Sequence, residues 1–91
     1  MDTNSQQRIA ESVRALSAAF GDRQEDVANV LGITQNTVSR KLRGLTRWSV
    51  EDVERISEHY KVPPSMVLAG PRAWFDALRS RWTQGDGSIT F

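Results

Sequence analysis

Side chains that can pair with the edges of DNA bases are concentrated in one short segment, from about Thr34 to Arg43. Amide and guanidinium groups form bidentate hydrogen bonds with adenine and guanine, and each such pair gives about 1–3 kcal/mol of discrimination between bases. If the segment is a helix with Val38 and Leu42 facing inward, the side chains left outside are Gln35, Asn36, Ser39, Arg40 and Arg43. This pattern predicts a helix that reads sequence in the major groove of double-stranded DNA.

Basic side chains are distributed unevenly along the chain. The net charge is only +1, but residues 23–48 carry five basic and two acidic side chains, whereas residues 49–62 carry two basic and four acidic ones. No acidic residue lies between Gly32 and Trp48. Such a local excess is typical of a surface that faces phosphates, although a solvated basic face has the same composition. The loop positions suited to phosphate contacts are Arg43, Thr46 and Arg47.

Two short helices joined by a tight turn would position these groups. Asp22 is placed to cap a helix over about 23–31, which ends at Gly32. Thr34 is placed to cap the next helix, over about 35–43. The three residues between the two helices leave room only for a turn, so the spacing predicts a helix-turn-helix.

Apolar periodicity elsewhere predicts an all-α fold of five helices plus an extra C-terminal helix. Asn4 and Gln7 suit a capping box for the first helix, whose inward stripe ends at Phe20. The fourth helix follows Ser49 and is expected to bury Val50 with the later apolar residues of its stripe. The predicted helices outside the helix-turn-helix are about 5–20, 50–60, a short helix at 65–68, and 72–82.

The segment from Gln24 to Arg40 resembles the lambda-repressor-like helix-turn-helix family, the Cro/cI type of phage repressors and many bacterial regulators. The likeness extends over about 6–70 and includes an acidic fourth helix. It implies that Gln24 braces both a phosphate and Gln35. The chain departs from the family at Lys41, where the family usually has an apolar residue, which implies a slightly rotated third helix. Whether Arg40 or Lys41 reads bases or contacts phosphate therefore stays open.

Together, residue types and resemblance predict a sequence-specific transcriptional regulator, a phage-type repressor, that binds a double-stranded DNA operator. We expect it in the bacterial cytoplasm with the nucleoid, because the amino end has a polar run instead of a signal peptide pattern. The expected base readers are Gln35, Asn36, Ser39 and Arg40. The expected phosphate contacts are Gln24, Thr37, Lys41, Arg43, Thr46 and Arg47.

Other function classes have little support in the sequence. His59 is the only histidine, and the acidic and hydroxyl residues lie at caps and outer faces, so no nucleophile with an orienting base can be proposed and we expect no enzyme activity. The chain has no cysteine and no closed set of metal ligands, so we expect neither a metal nor another cofactor. No apolar run is long enough to span a membrane. Trp48 is expected to pack against the fourth helix.

A DNA-binding domain over residues 1–70 leaves a C-terminal helix at 71–82 and a flexible tail at 83–91 to be explained. That helix carries a heavy apolar stripe, whose members are Trp74, Phe75, Leu78 and Trp82. The stripe either enlarges the core, drives homodimer formation, or docks a partner protein, as in an antitoxin-like or adaptor protein. The last four residues alternate as a strand does, and could pair across a dimer.

Overall fold

Six helices make up the computed structural model, which describes the backbone of residues 3–84 and the side chains of residues 4–79. In chain order the helices are α1 Thr3–Ala19, α2 Gln24–Leu31, α3 Gln35–Leu42, α4 Val50–Tyr60, α5 Pro64–Ala69 and α6 Pro71–Gln84. The part of the chain described contains no strand, which confirms the all-α prediction. No helix within it is both long and apolar enough to cross a membrane.

Local signals account for most of the helix ends. Gly32 ends α2 in the left-handed conformation with φ of 70°, where a side chain would be strained. The Thr34 hydroxyl accepts a hydrogen bond from the Thr37 backbone N–H at 3.1 Å and so begins α3. At the start of α4, Ser49 and Asp52 exchange the two hydrogen bonds of a capping box.

Two predicted caps are wrong. Helix α1 begins at Thr3, so Asn4 lies within its first turn instead of before it. Asp22 does not cap α2, because Arg23 is the N-cap residue and its backbone N–H donates to Asp26 at 2.8 Å. The Asp22 carboxylate instead accepts a hydrogen bond from Tyr60, a residue of α4.

The core lies between α1, the helix-turn-helix and α4, with α5 packed across α1. Its buried apolar side chains are Ile9, Ala10, Val13, Leu16, Val27, Ala28, Leu31, Val38, Trp48, Val53, Ile56, Tyr60 and Val67. Two residues expected inside are exposed: Phe20 at 61% and Val50 at 65%. Phe20 follows the last residue of α1, and its ring contacts the Tyr60 ring with 5.1 Å between the centroids. Val50 is the first residue of α4 and lies at the edge of the core.

Helix α6 continues the bundle beyond α5. The Trp74 indole N–H donates to the Met66 carbonyl at 2.7 Å, which ties α6 to α5. The hydroxyl of Ser12 similarly ties α1 to α5, by donating to the Val67 carbonyl at 2.7 Å. Helix α6 runs through Gln84, two residues beyond its predicted end, whereas the rest of the predicted tail and its strand-like end lie outside the described residues.

Tyr60 joins the carboxyl end of α4 to the loop between α1 and α2. Its hydroxyl donates to the Asp22 carboxylate at 2.7 Å. Burial, and next the hydrogen bond to Asp22, raises the pKa of Tyr60 well above its ordinary value of 10.0. The folded protein therefore holds this phenolic proton more tightly than the unfolded chain does.

The Tyr60 interaction predicts a loss of stability at alkaline pH. Tyr60→Phe is expected to lower the free energy of unfolding by about 1.5 kcal/mol at neutral pH, because it removes a hydrogen bond to a charged acceptor. Since the folded-state pKa is raised, this contribution is complete below about pH 10 and declines as the pH rises further. Urea unfolding of both proteins at about pH 8 and pH 11 checks this, and a difference that stays constant between the two pH values would contradict it.

Candidate nucleic-acid interface

The helix-turn-helix presents α3 on the surface of the bundle. Val38 is fully buried and seats the middle of the helix, and Ile33 in the preceding turn is half-buried against the same core. The left-handed turn at Gly32 and the cap at Thr34 fix the direction in which α3 leaves α2. One face of α3 is therefore held inward, and the opposite face is left to solvent.

Most of the predicted base readers lie on the open side of α3. Gln35, Asn36 and Arg40 are exposed, and Ser39 is half-buried. Asn36, Arg40 and Arg43 follow one another at helical spacings of four and three residues, so they share a face. Within the described residues, Gln35 and Asn36 make no side-chain hydrogen bond, so their amides are available to a ligand.

Basic groups continue from α3 into the loop of residues 43–49, which we call the α3–α4 loop. The Arg40 guanidinium lies 3.4 Å from the Thr46 hydroxyl, which brings the end of α3 and the loop together. Arg43 and Arg47 are exposed on the loop, and Thr46 is half-buried. The guanidinium groups of Arg40 and Arg43 thus lie with the Thr46 hydroxyl at the end of α3, and Arg47 is exposed on the same loop. Side chains of these types commonly contact phosphates in protein–DNA complexes.

Lys41 does not join this surface. Its side chain is 9% exposed, and its ammonium donates to the Asp52 carboxylate at 2.9 Å and to the Arg47 carbonyl at 2.7 Å. The expectation that Lys41 contacts phosphate is therefore corrected by its placement in the interior. Helix α3 is not turned to bring Lys41 out; Lys41 faces the core, and Arg40 beside it faces solvent.

Two other expected phosphate contacts, Gln24 and Thr37, differ in exposure. Gln24 is exposed at the first residue of α2, but no hydrogen bond joins it to Gln35 in the described chain, so the implied brace between these amides is not formed. Thr37 is half-buried, and its hydroxyl lies 2.8 Å from the hydroxyl of Thr34. Its polar atom thus contributes to the cap of α3.

Gln6 is a residue that the sequence analysis missed. Its side-chain amide accepts from the Trp48 backbone N–H and donates to the Trp48 carbonyl at 3.0 Å, so α1 holds the α3–α4 loop by two hydrogen bonds. The available signal was that Gln6 lies three and four residues before Ile9 and Ala10 on the buried stripe of α1. A polar residue in line with a buried stripe indicates a partner inside the fold.

The α3–α4 loop is anchored by Trp48 and borders a surface cavity. Trp48 is 2% exposed and packs in the core, and its indole N–H has no hydrogen-bond partner among the described residues. A cavity of about 350 Å³ opens between α1 and the loop, with Ala10, Arg43 and Arg47 among its lining residues. The basic surface is therefore indented at the point where α1 meets the loop.

The C-terminal stripe divides between core and surface. Trp74 is half-buried against the core, whereas Phe75 is 64% exposed and Leu78 is 51% exposed. The side chain of Trp82 lies outside the described part of the chain. Helix α6 thus leaves apolar area on the surface of this chain.

Comparison with known protein families identifies the family of this domain. The model of the BetR domain family, a helix-turn-helix type of DNA-binding domain from bacteria and phage, matches residues 2–74. The matched region takes in α1 to α5 and the first residues of α6, and it ends immediately before the exposed Phe75. No curated protein and no solved structure matches the chain.

Proposed function

The chain belongs to the BetR domain family, and from this premise we propose that it is a sequence-specific transcriptional regulator that reads double-stranded DNA with α3. The observation that carries the proposal is the exposed pair of amides, Gln35 and Asn36, at the start of α3, beside the basic α3–α4 loop. An α-helix fits the major groove of B-form DNA, where an amide can pair with adenine through two hydrogen bonds.

We assign side chains to bases or to phosphates from their exposure and from their position in the helix-turn-helix. Gln35, Asn36 and Arg40 contact base edges, and Ser39 lies between them on the half-buried flank. Arg43, Thr46 and Arg47 hold the phosphate backbone from the loop, and Gln24 and Thr37 contribute from the ends of their helices. The phosphate contacts fix the register of α3 on the duplex, and the contacts in the groove select the sequence.

The regulator is proposed to be a repressor of the Cro/cI type. This rests on the resemblance of residues 24–40 to that family. Such a protein regulates by occupying an operator, and needs neither catalysis nor a cofactor to do so. We place it in the bacterial cytoplasm, on the nucleoid, where its DNA lies.

Association is proposed to use the exposed face of α6. Phe75 and Leu78 place apolar area outside the matched domain, and such area favours contact with a second copy or with a partner protein. A two-fold dimer would read half-sites about 34–36 Å apart, one turn of DNA. The alternative role, an antitoxin-like or adaptor protein, uses the same face to dock a different chain. Solution mass, together with the spacing of protected half-sites, distinguishes the two.

Selection of duplexes from a random library, followed by single substitutions, tests the proposal. Gln35→Ala and Asn36→Ala are each expected to relax preference at one base pair and to cost about 1–3 kcal/mol on the selected site. Arg47→Ala is expected to weaken all duplexes alike and to reduce the salt slope by about one unit, because it removes a phosphate contact. Equilibrium binding at several salt concentrations measures both effects.

A matched control is Asn29→Ala, which removes an exposed amide in the last turn of α2, five residues after Gln24. It is expected to leave affinity and base preference unchanged. Uniform losses from Gln35→Ala, Asn36→Ala and Arg47→Ala would refute the assignment of readers and phosphate contacts. A library that yields no preferred duplex would refute the proposed function.

A further inference from the structure

The buried ion pair between Lys41 and Asp52 is not required for a helix-turn-helix to fold. Both side chains are about nine-tenths buried, at 9% and 11% exposure. Taking two charges out of water is costly, and apolar side chains of similar volume often serve the fold as well or better. A stripe made only of apolar residues would therefore seat α3, and the pair calls for a second explanation.

The geometry of the pair connects three parts of the molecule. The Lys41 ammonium, on α3, donates to the Arg47 carbonyl in the α3–α4 loop and to the Asp52 carboxylate on α4. It also lies 5.7 Å from the centroid of the Trp48 ring. The same Asp52 oxygen accepts from the Ser49 backbone N–H at 2.9 Å, at the end of the loop. One buried ammonium thus fixes the loop relative to both helices that flank it.

The α3–α4 loop is also held by α1. Gln6 binds both backbone polar groups of Trp48, while Lys41 binds the carbonyl of the residue before it. Consecutive peptide groups are therefore fixed by side chains from two different helices. A loop held in this way can present Thr46 and Arg47 in one arrangement before DNA arrives.

We propose that Lys41 is a positioning residue, which acts through Asp52 and the Arg47 carbonyl to hold the α3–α4 loop in register with the reading face of α3. This inference rests on the proposed function, because it assigns the register a role in sequence preference. Lys41 itself contacts neither bases nor phosphates. Its charge is used inside the protein, where it orders the segment that carries the phosphate contacts.

Selective labelling of amines tests the placement of Lys41 without any substitution. The chain has only two lysines, and Lys61, which is exposed, is the internal control for Lys41. In the free protein, reductive methylation is expected to modify Lys61 at least about tenfold faster than Lys41, because the buried ammonium is bound to a carboxylate. Equal rates in free protein, with protection of Lys41 only upon addition of DNA, would identify it as a phosphate contact and overturn the inference.

The double variant Lys41→Met/Asp52→Asn tests the positioning role. It leaves the net charge unchanged, and the asparagine keeps an oxygen that can accept from the Ser49 N–H. We expect affinity for the selected duplex to fall at least about tenfold, while affinity for an unrelated duplex changes less than about twofold and the salt slope is kept. The matched control is Glu58→Gln/Lys61→Met, which makes the same chemical changes on exposed residues and is expected to bind as the wild type does.

The outcomes separate the possible roles of Lys41. Unchanged affinity for both duplexes, in a variant shown to be folded by its thermal transition, would mean that the pair is structural only and would overturn the inference. Equal losses on both duplexes, with a salt slope lowered by about 0.9, would mean that Lys41 binds a phosphate, and would also overturn it.

If the proposed function is wrong, hydrogen exchange still tests the role of Lys41 in the loop. If the wild type prefers no duplex, that function fails, and hydrogen exchange then decides whether Lys41 orders the loop. Loss of protection at the Trp48 amide by at least about tenfold in the double variant supports the ordering role. Unchanged protection at that amide overturns it.

Discussion

Lys41→Met is expected to lower the free energy of unfolding by about 3 kcal/mol, which is a large part of the stability of a domain of this size. The reason is the negative charge of Asp52, which would remain in the interior. Its carboxylate would keep the hydrogen bond from the Ser49 backbone N–H but lose the one from the ammonium, and the Arg47 carbonyl would lose the Lys41 ammonium as a donor. Urea unfolding followed by far-ultraviolet circular dichroism measures the loss.

Two further variants separate the cost of an unpaired charge from the cost of the substitution. Lys41→Met/Asp52→Asn removes both charges and is expected to recover more than half of the stability lost by Lys41→Met. Lys61→Met changes an exposed lysine and is expected to stay within about 0.5 kcal/mol of the wild type. A loss below about 1 kcal/mol for Lys41→Met would show that the ammonium is solvated and that the pair is not buried in solution.

Trp48→Ala is expected to destabilise the fold by about 3–5 kcal/mol, because Trp48 is 2% exposed and is the main apolar anchor of the α3–α4 loop. The alanine would leave a cavity in the core, and the loop would keep its polar contacts, among them those to Gln6 and Lys41. Thermal and urea unfolding report the loss. Binding of the selected duplex below the unfolding transition reports the accompanying change in the loop.

Trp48→Phe is the informative companion substitution. The phenyl ring keeps much of the apolar area, and the change removes a buried indole N–H that finds no partner in the described part of the chain. The expected loss is therefore smaller, about 1–2 kcal/mol. A loss as large as that of Trp48→Ala would show that the indole N–H does have a partner in solution, and would contradict the packing role assigned to the ring.

The helix-turn-helix could be predicted from the sequence because its determinants are local. Gly32 is left-handed where the turn requires it, and Thr34 caps α3 through a residue three positions away. Helix periodicity similarly identified Val38 as a buried residue of α3. Each of these signals acts within about one turn of helix, so the linear sequence contains both partners.

Predictions failed where a residue had a choice of partners. Asp22 has the right type and position for a cap, but in the folded chain its carboxylate accepts from Tyr60, which is 38 residues away. Phe20 continues the apolar spacing of α1, yet it falls just past the helix and stays exposed. A local pattern gives the preference of a segment, and packing decides whether that preference is used.

The exposed side of the candidate interface was predictable, because it depends on the helical period of α3. The exposed positions of Gln35, Asn36 and Arg40 follow from helical period once α3 is placed. The unusual residue at position 41 was also visible, since a lysine stands where the resembled family has an apolar side chain. The partner of Lys41 could not be predicted from the sequence, because Asp52 lies 11 residues away on another helix, where it also forms the capping box with Ser49.

The sequence by itself determined the helices, the tight turn and the polar segment between Thr34 and Arg43, because caps, glycines and periodicity act over three or four residues. Only the tertiary structure decided which basic side chains of that segment face solvent. Lys41 meets Asp52 across 11 residues, and Gln6 meets Trp48 across 42, so these contacts exist only once α1, α3 and α4 have packed. Burial then makes pairing necessary for Lys41, whereas its neighbour Arg40 on the open side stays available to a ligand.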